Sequence, residues 1–120
     1  MDSQMNDIFL IVAGIGGMVI AAIHGRIGQT VILARITRLS RTLQNINTAV
    51  FQLSTLYWFV GGAALVMTPF TLPPDMRTAI AVTVAFMYLA GAAGNLWATR
   101  GRHFGWPMLT GVAILALIGA

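Results

Sequence analysis

The chain has 120 residues, 58% of them hydrophobic and only 8% charged, with a mean hydropathy of +0.82. Soluble domains carry about a quarter charged residues, so an ordinary water-facing surface is excluded, and the length suits one domain only. Seven Arg, no Lys and three acidic residues give a net charge of +4, and the absence of Cys excludes disulfides, thiolate metal sites and iron–sulfur clusters.

A crossing helix needs roughly 17–25 mostly apolar residues to cover ~30 Å of hydrocarbon. Four uncharged runs predict an all-α membrane protein with four transmembrane helices in a single domain. The first span covers about residues 8–25. The acidic segment before it, MDSQMND, and the HGR that follows Ile23 argue for a retained span rather than a signal peptide. The second covers about 46–68, where Pro69, Pro73 and Pro74 are expected to end it. The third covers about 78–98, between Arg77 and Arg100. The fourth, about 105–120, opens on Trp106-Pro107, with proline at a tolerated first-turn position. At ~1.5 Å per residue its 16 residues reach only ~24 Å, so it spans only where the bilayer thins.

Between the first two spans, Ile32, Ile36, Leu39, Leu43 and Ile46 recur at spacings of four, three, four and three, with Arg35, Arg38 and Arg41 on the other side. This pattern predicts a basic amphipathic helix over about 29–45, lying in the headgroup layer. Its three arginines are the candidate contact with anionic lipid headgroups or a partner, each contributing about 1 kcal/mol near an anionic surface.

Orientation follows from charge placement. Arg26, Arg35, Arg38, Arg41, Arg100 and Arg102 fall in the first and third connections, whereas Asp2, Asp7, Asp75 and Arg77 fall on the opposite side. The positive-inside rule then puts both termini outside, in the periplasm of a bacterial inner membrane. Because the basic residues alternate with spans, the charge reads as orientation and not as a nucleic-acid footprint.

Packing inside lipid favours small residues that let backbones approach. Gly17, Ala21 and Gly25 on the first helix, and Ala90 and Gly94 with Ala98 on the third, repeat every four residues and are the candidate packing faces. The run Tyr57, Trp58, Phe59 lies in mid-helix, away from the interfacial positions that Tyr and Trp prefer, and is a candidate docking ridge.

No Asp, Glu or Lys lies within the four spans, which argues against ion-coupled transport and hydrolytic chemistry. His24, Thr48, Gln52 and Asn95 remain as a polar layer near the inner ends of their helices. An interhelical hydrogen-bond layer is the plain reading, and a pocket for a headgroup, a quinone ring or a solute is the sharper one. His103, the other histidine, is expected at the interface beside Trp106. No metal-ligand spacing, phosphate loop or nucleophile–base pair can be assembled, so no metal, cofactor or enzymatic activity is expected. The expected role is a non-catalytic accessory, assembly or structural subunit of a larger membrane complex or homo-oligomer. The alternative is a small transporter or channel lined by the polar layer.

Overall fold

The computed structural model describes residues 3–120. Asp2, counted above among the outer charges, lies outside them. The described chain is four helices: α1 (Ser3–Ile27), α2 (Arg41–Thr71), α3 (Pro74–Thr99) and α4 (Gly105–Ile118). α1 packs on α2 and α4, and α3 packs on α4 and α2, so chain neighbours are antiparallel and close a ring. This connectivity collects Arg26, Arg35, Arg38, Arg41, Arg100 and Arg102 at one end of the bundle. Asp7, Asp75 and Arg77 lie at the other.

Three helices are long and apolar enough to cross a membrane: α1 with its extension to Arg35, α2 and α3. α4 has 14 residues, about 21 Å of rise against ~30 Å of hydrocarbon, so of the four expected spans three have crossing length and the fourth, expected to be short, is a shorter apolar helix.

The helix boundaries follow local chemistry. α2 runs through Pro69 to Thr71, beyond the expected stop at Thr68. A proline in the last turn removes one donor, which ends nothing by itself; Leu72 is forced to extended dihedrals (φ −122°, ψ 146°) by the proline that follows it, and the helix stops there. α3 starts on Pro74, whose missing N–H is not needed in a first turn, and ends in a left-handed turn at Arg100 (φ 51°) and Gly101 (φ 75°).

The basic amphipathic helix expected over 29–45 does not form. α1 instead continues through a wide π turn (Gly28–Ile32) and one 3-10 turn (Leu33–Arg35), the chain reverses over residues 36–40, and Arg41 already belongs to α2. Two polar side chains break the pattern. Ser40 caps α2 by accepting from the Leu43 N–H at 3.4 Å, and Gln44 Nε2 donates to the carbonyls of Thr37 (3.3 Å) and Leu39 (2.7 Å). These bonds satisfy the turn's backbone locally, in competition with a continuous helix. The 3–4 spacing of Ile32 to Ile46 is thus shared between two antiparallel helices, and the result is a helical hairpin.

Large and small residues take opposite sides. Ala13, Gly14, Gly17 and Ala21 on α1, Gly61 and Gly62 on α2, Ala81, Ala85 and Ala92 on α3, and Ala113 and Ala116 on α4 are buried. Ile8, Val12, Ile15, Val19 and Ile23 face outward. α1 and α2 touch backbone to backbone, since a Cβ on Gly14 would stand 2.5 Å from the Gly62 carbonyl oxygen. At the centre, the fully buried Tyr88 of α3 occupies the space that Gly17 leaves open, and its hydroxyl donates to the Trp58 carbonyl of α2 at 2.9 Å. One ring therefore joins three helices.

Of the expected packing residues, Gly17 and Ala21 are buried, and Gly25 faces Thr55, whose Cγ2 would lie 2.8 Å from a Cβ there. Ala90 and Gly94 are exposed, with nothing within 4 Å of a Cβ added to Gly94. α3 carries small residues on two faces, and the one that turns inward is the one that includes Tyr88, whose hydroxyl finds a carbonyl acceptor only there.

Candidate functional site

At the arginine-rich end the four helices diverge around a partly open cavity of about 210 Å³. α1 contributes Ile20 and His24, α2 Phe51 and Trp58, α3 Asn95 and Thr99, the segment entering α4 His103, and α4 itself Met108. The aromatic wall is seated by a missing side chain: Phe51 occupies the space a Cβ on Gly28 would need. The His24 ring then stacks on Phe51, with centroids 4.0 Å apart and planes 3° from parallel, and tilts against Trp58 at 4.5 Å.

Hydrogen bonding fixes which nitrogen of each histidine carries a proton. Ser54 Oγ uses its only proton to donate to the Phe51 carbonyl at 2.7 Å, so at its 3.3 Å contact with His24 it accepts, and the proton lies on His24 Nε2. His24 Nδ1 is left as a bare acceptor, with no partner among the described residues. His103 is the opposite case. Its Nδ1 accepts from the Gly105 N–H at 3.0 Å, so the proton lies on Nε2. Asn95 Oδ1 is buried without a hydrogen-bond partner. The cavity lining therefore carries two unpaired acceptors, His24 Nδ1 and, sealed within the wall, Asn95 Oδ1, with at least one donor in otherwise apolar surroundings.

The structure divides the expected polar layer. His24 and Asn95 meet at the cavity. Thr48 turns back to bond the Gln44 carbonyl of its own helix at 2.9 Å, and Gln52 pairs with Gln29 Oε1 at 3.1 Å, away from the cavity lining. His103, expected at the interface, joins the cavity in their place. Its sequence signal is a polar side chain two residues before a helix start, where it can accept from a backbone N–H left unpaired by the helix.

Of the aromatic run, Trp58 is buried beside Gly91, while Tyr57 and Phe59 point outward. Tyr57 and Ser54 line one side of a shallow groove whose other side is Phe86, Met87 and Ala90 of α3. Arg35, Arg38 and Arg41 are all exposed at the hairpin tip. Among the described residues no three His, Asp or Glu side chains gather as a metal site would require.

No family model, curated protein or solved structure matches the chain.

Proposed function

We propose that this is a small polytopic protein of a bacterial inner membrane, with both termini outside, serving as a non-catalytic accessory, assembly or structural subunit of a larger membrane complex or a homo-oligomer. One observation carries the reading: two outward faces of the same bundle differ in kind. α1 presents Ile8, Val12, Ile15, Val19 and Ile23, an aliphatic surface that acyl chains cover well. α3 presents Ala90 and Gly94, open to close approach, between Phe86 (72% exposed) and Trp97 (83% exposed). In lipid, where burial of apolar area gives little drive, a small-residue stripe walled by rings is what a second backbone packs against.

The test is native mass measurement after mild detergent extraction. The wild-type chain should leave the membrane with a companion subunit or a second copy. The double variant Ala90→Leu, Gly94→Leu should release it as a folded monomer. A wild-type monomer with no companion overturns the reading. At the hairpin tip, replacing Arg35, Arg38 and Arg41 together with Gln should reduce the anionic lipid that co-purifies, and unchanged lipid content would remove that contact.

Transport is the second reading, supported by the cavity with His24 and Asn95 in its wall. It is the weaker one because the opposite end is tied shut by Arg77. Asn95→Ala should abolish solute flux in reconstituted vesicles on this reading, and leave it at background on the first.

A further inference from the structure

We propose that the cavity between His24, Asn95 and His103 binds a neutral, hydroxylated aromatic ring of the hydroquinone class. Size sets the scale, since roughly 150 Å³ of apolar cavity is enough for benzene. The 210 Å³ here therefore accepts a substituted ring. Shape sets planarity: the wall holds the His24 ring stacked on Phe51 and tilted against Trp58, and such aromatic surfaces complement a flat π system.

Charge and hydrogen bonding then select among flat rings. Among the described residues no Asp, Glu or Arg side chain lines the cavity, so a charged ligand would be buried without a counter-charge. His24 Nδ1 needs a donor, Asn95 Oδ1 is sealed in the wall without one and reaches a ligand hydroxyl when its amide turns toward the cavity, and His103 Nε2–H needs an acceptor. A hydroquinone supplies both from its hydroxyl groups. The corresponding quinone has acceptors alone, meets only the donors, and leaves the two acceptors of the wall unpaired. A lipid acyl chain would satisfy none of the three. A metal held between the two histidines is disfavoured for a related reason: the bare nitrogen of His103 is committed to the Gly105 N–H.

The recognition predicted is therefore of hydroxyl protons, because a site built to pair with a donor rejects the analogue that lacks it. The experiment is calorimetric titration of the full-length protein in detergent, under anaerobic conditions, with tetramethylhydroquinone, its dimethyl ether and tetramethylquinone. Hydroquinone should bind at least about tenfold more tightly than the other two, which corresponds to one hydrogen bond of difference. Met108→Trp, which fills the cavity from a partly exposed position, should abolish binding while thermal unfolding shows the fold intact. Ser54→Ala frees the His24 proton to move to Nδ1 and should narrow the preference for hydroquinone over quinone. Equal binding of hydroquinone and ether, no saturable binding, or binding untouched by Met108→Trp each overturns the proposal.

Discussion

The two ends of the bundle handle polar groups in opposite ways. At the acidic end Arg77, in the first turn of α3, reaches out of its own helix: Nη1 donates to Asp7 of α1 at 2.8 Å, Nη2 to the Pro69 carbonyl at 2.8 Å and Nε to the Leu72 carbonyl at 2.7 Å. A cation in a first turn is unfavourable to its own helix dipole, but here it sits at the negative end of α2 and beside a carboxylate. Among the described residues, Asn6 Oδ1 alone is left buried and unpartnered there. At the arginine-rich end no arginine lines the cavity, and the polar lining residues His24, Asn95 and His103 keep acceptors and a donor that no described residue pairs. One end is closed by a fork that matches its acceptors, and the other stays open because its groups are matched to nothing in the chain. Closure and the proposed ligand site thus belong to separate ends.

The largest expected effect comes from the point where both ends are anchored. Gly17→Leu drives a side chain into the Tyr88 ring and breaks its bond to the Trp58 carbonyl, combining overpacking with a lost buried hydrogen bond. A loss of about 3 kcal/mol is expected in detergent unfolding, with both ends loosened. Gly94→Leu, the same change on the open face of α3, should leave unfolding within about 0.5 kcal/mol of wild type.

Next is the closed end. Arg77→Met removes three hydrogen bonds from a guanidinium that is 27% exposed, beside an Asp7 that is 35% exposed. Discounted for that exposure, a loss of about 1–2 kcal/mol is expected, and Asp7→Asn should cost less because both carbonyl contacts survive. Hydroquinone binding at the far end should not change. A coupled loss there would show that the ends are not independent.

The sequence makes the all-α class legible because long uncharged runs of apolar residues, bounded by prolines and arginines, mark helices long and apolar enough to cross a membrane. It also makes Gly17 and Ala21 legible as a packing face. Where small residues occur on two faces of one helix, periodicity alone cannot choose, and Tyr88 decides for α3 through a partner thirty residues away at Trp58. The basic segment misleads because a 3–4 repeat in one helix and the same repeat split over a hairpin look alike; Ser40 and Gln44 distinguish them, and both are short-range signals of the kind that end helices. Arg77 shows the same limit. Its charge is plain in the sequence, but its three acceptors come from residues 7, 69 and 72, which only the fold brings together. Of the cavity's polar residues His24 and Asn95 are legible near helix ends, while His103 enters through a capping bond whose signal, a polar side chain two residues before a helix start, is easily taken for an interfacial residue.

A smaller effect on stability than that of Arg77→Met separates the ends most sharply, because its sign differs. At the closed end, deleting the polar group Arg77 costs stability. At the open end, Asn95→Leu removes a buried oxygen that has no partner in the chain, replacing an unsatisfied acceptor with apolar volume among Thr99, Gly105 and Leu109. Leaving such a group unpaired costs about 1–3 kcal/mol, so the variant should unfold at the same or a higher temperature than wild type, by at most about 1 kcal/mol once the imperfect fit of leucine is included. The same change removes an acceptor from the proposed site and should weaken tetramethylhydroquinone about tenfold while leaving its dimethyl ether unaffected. Stability and affinity moving in opposite directions is what a group kept for a ligand requires. If Asn95→Leu instead destabilises the chain as Arg77→Met does, Asn95 has a structural partner and the two ends obey one rule.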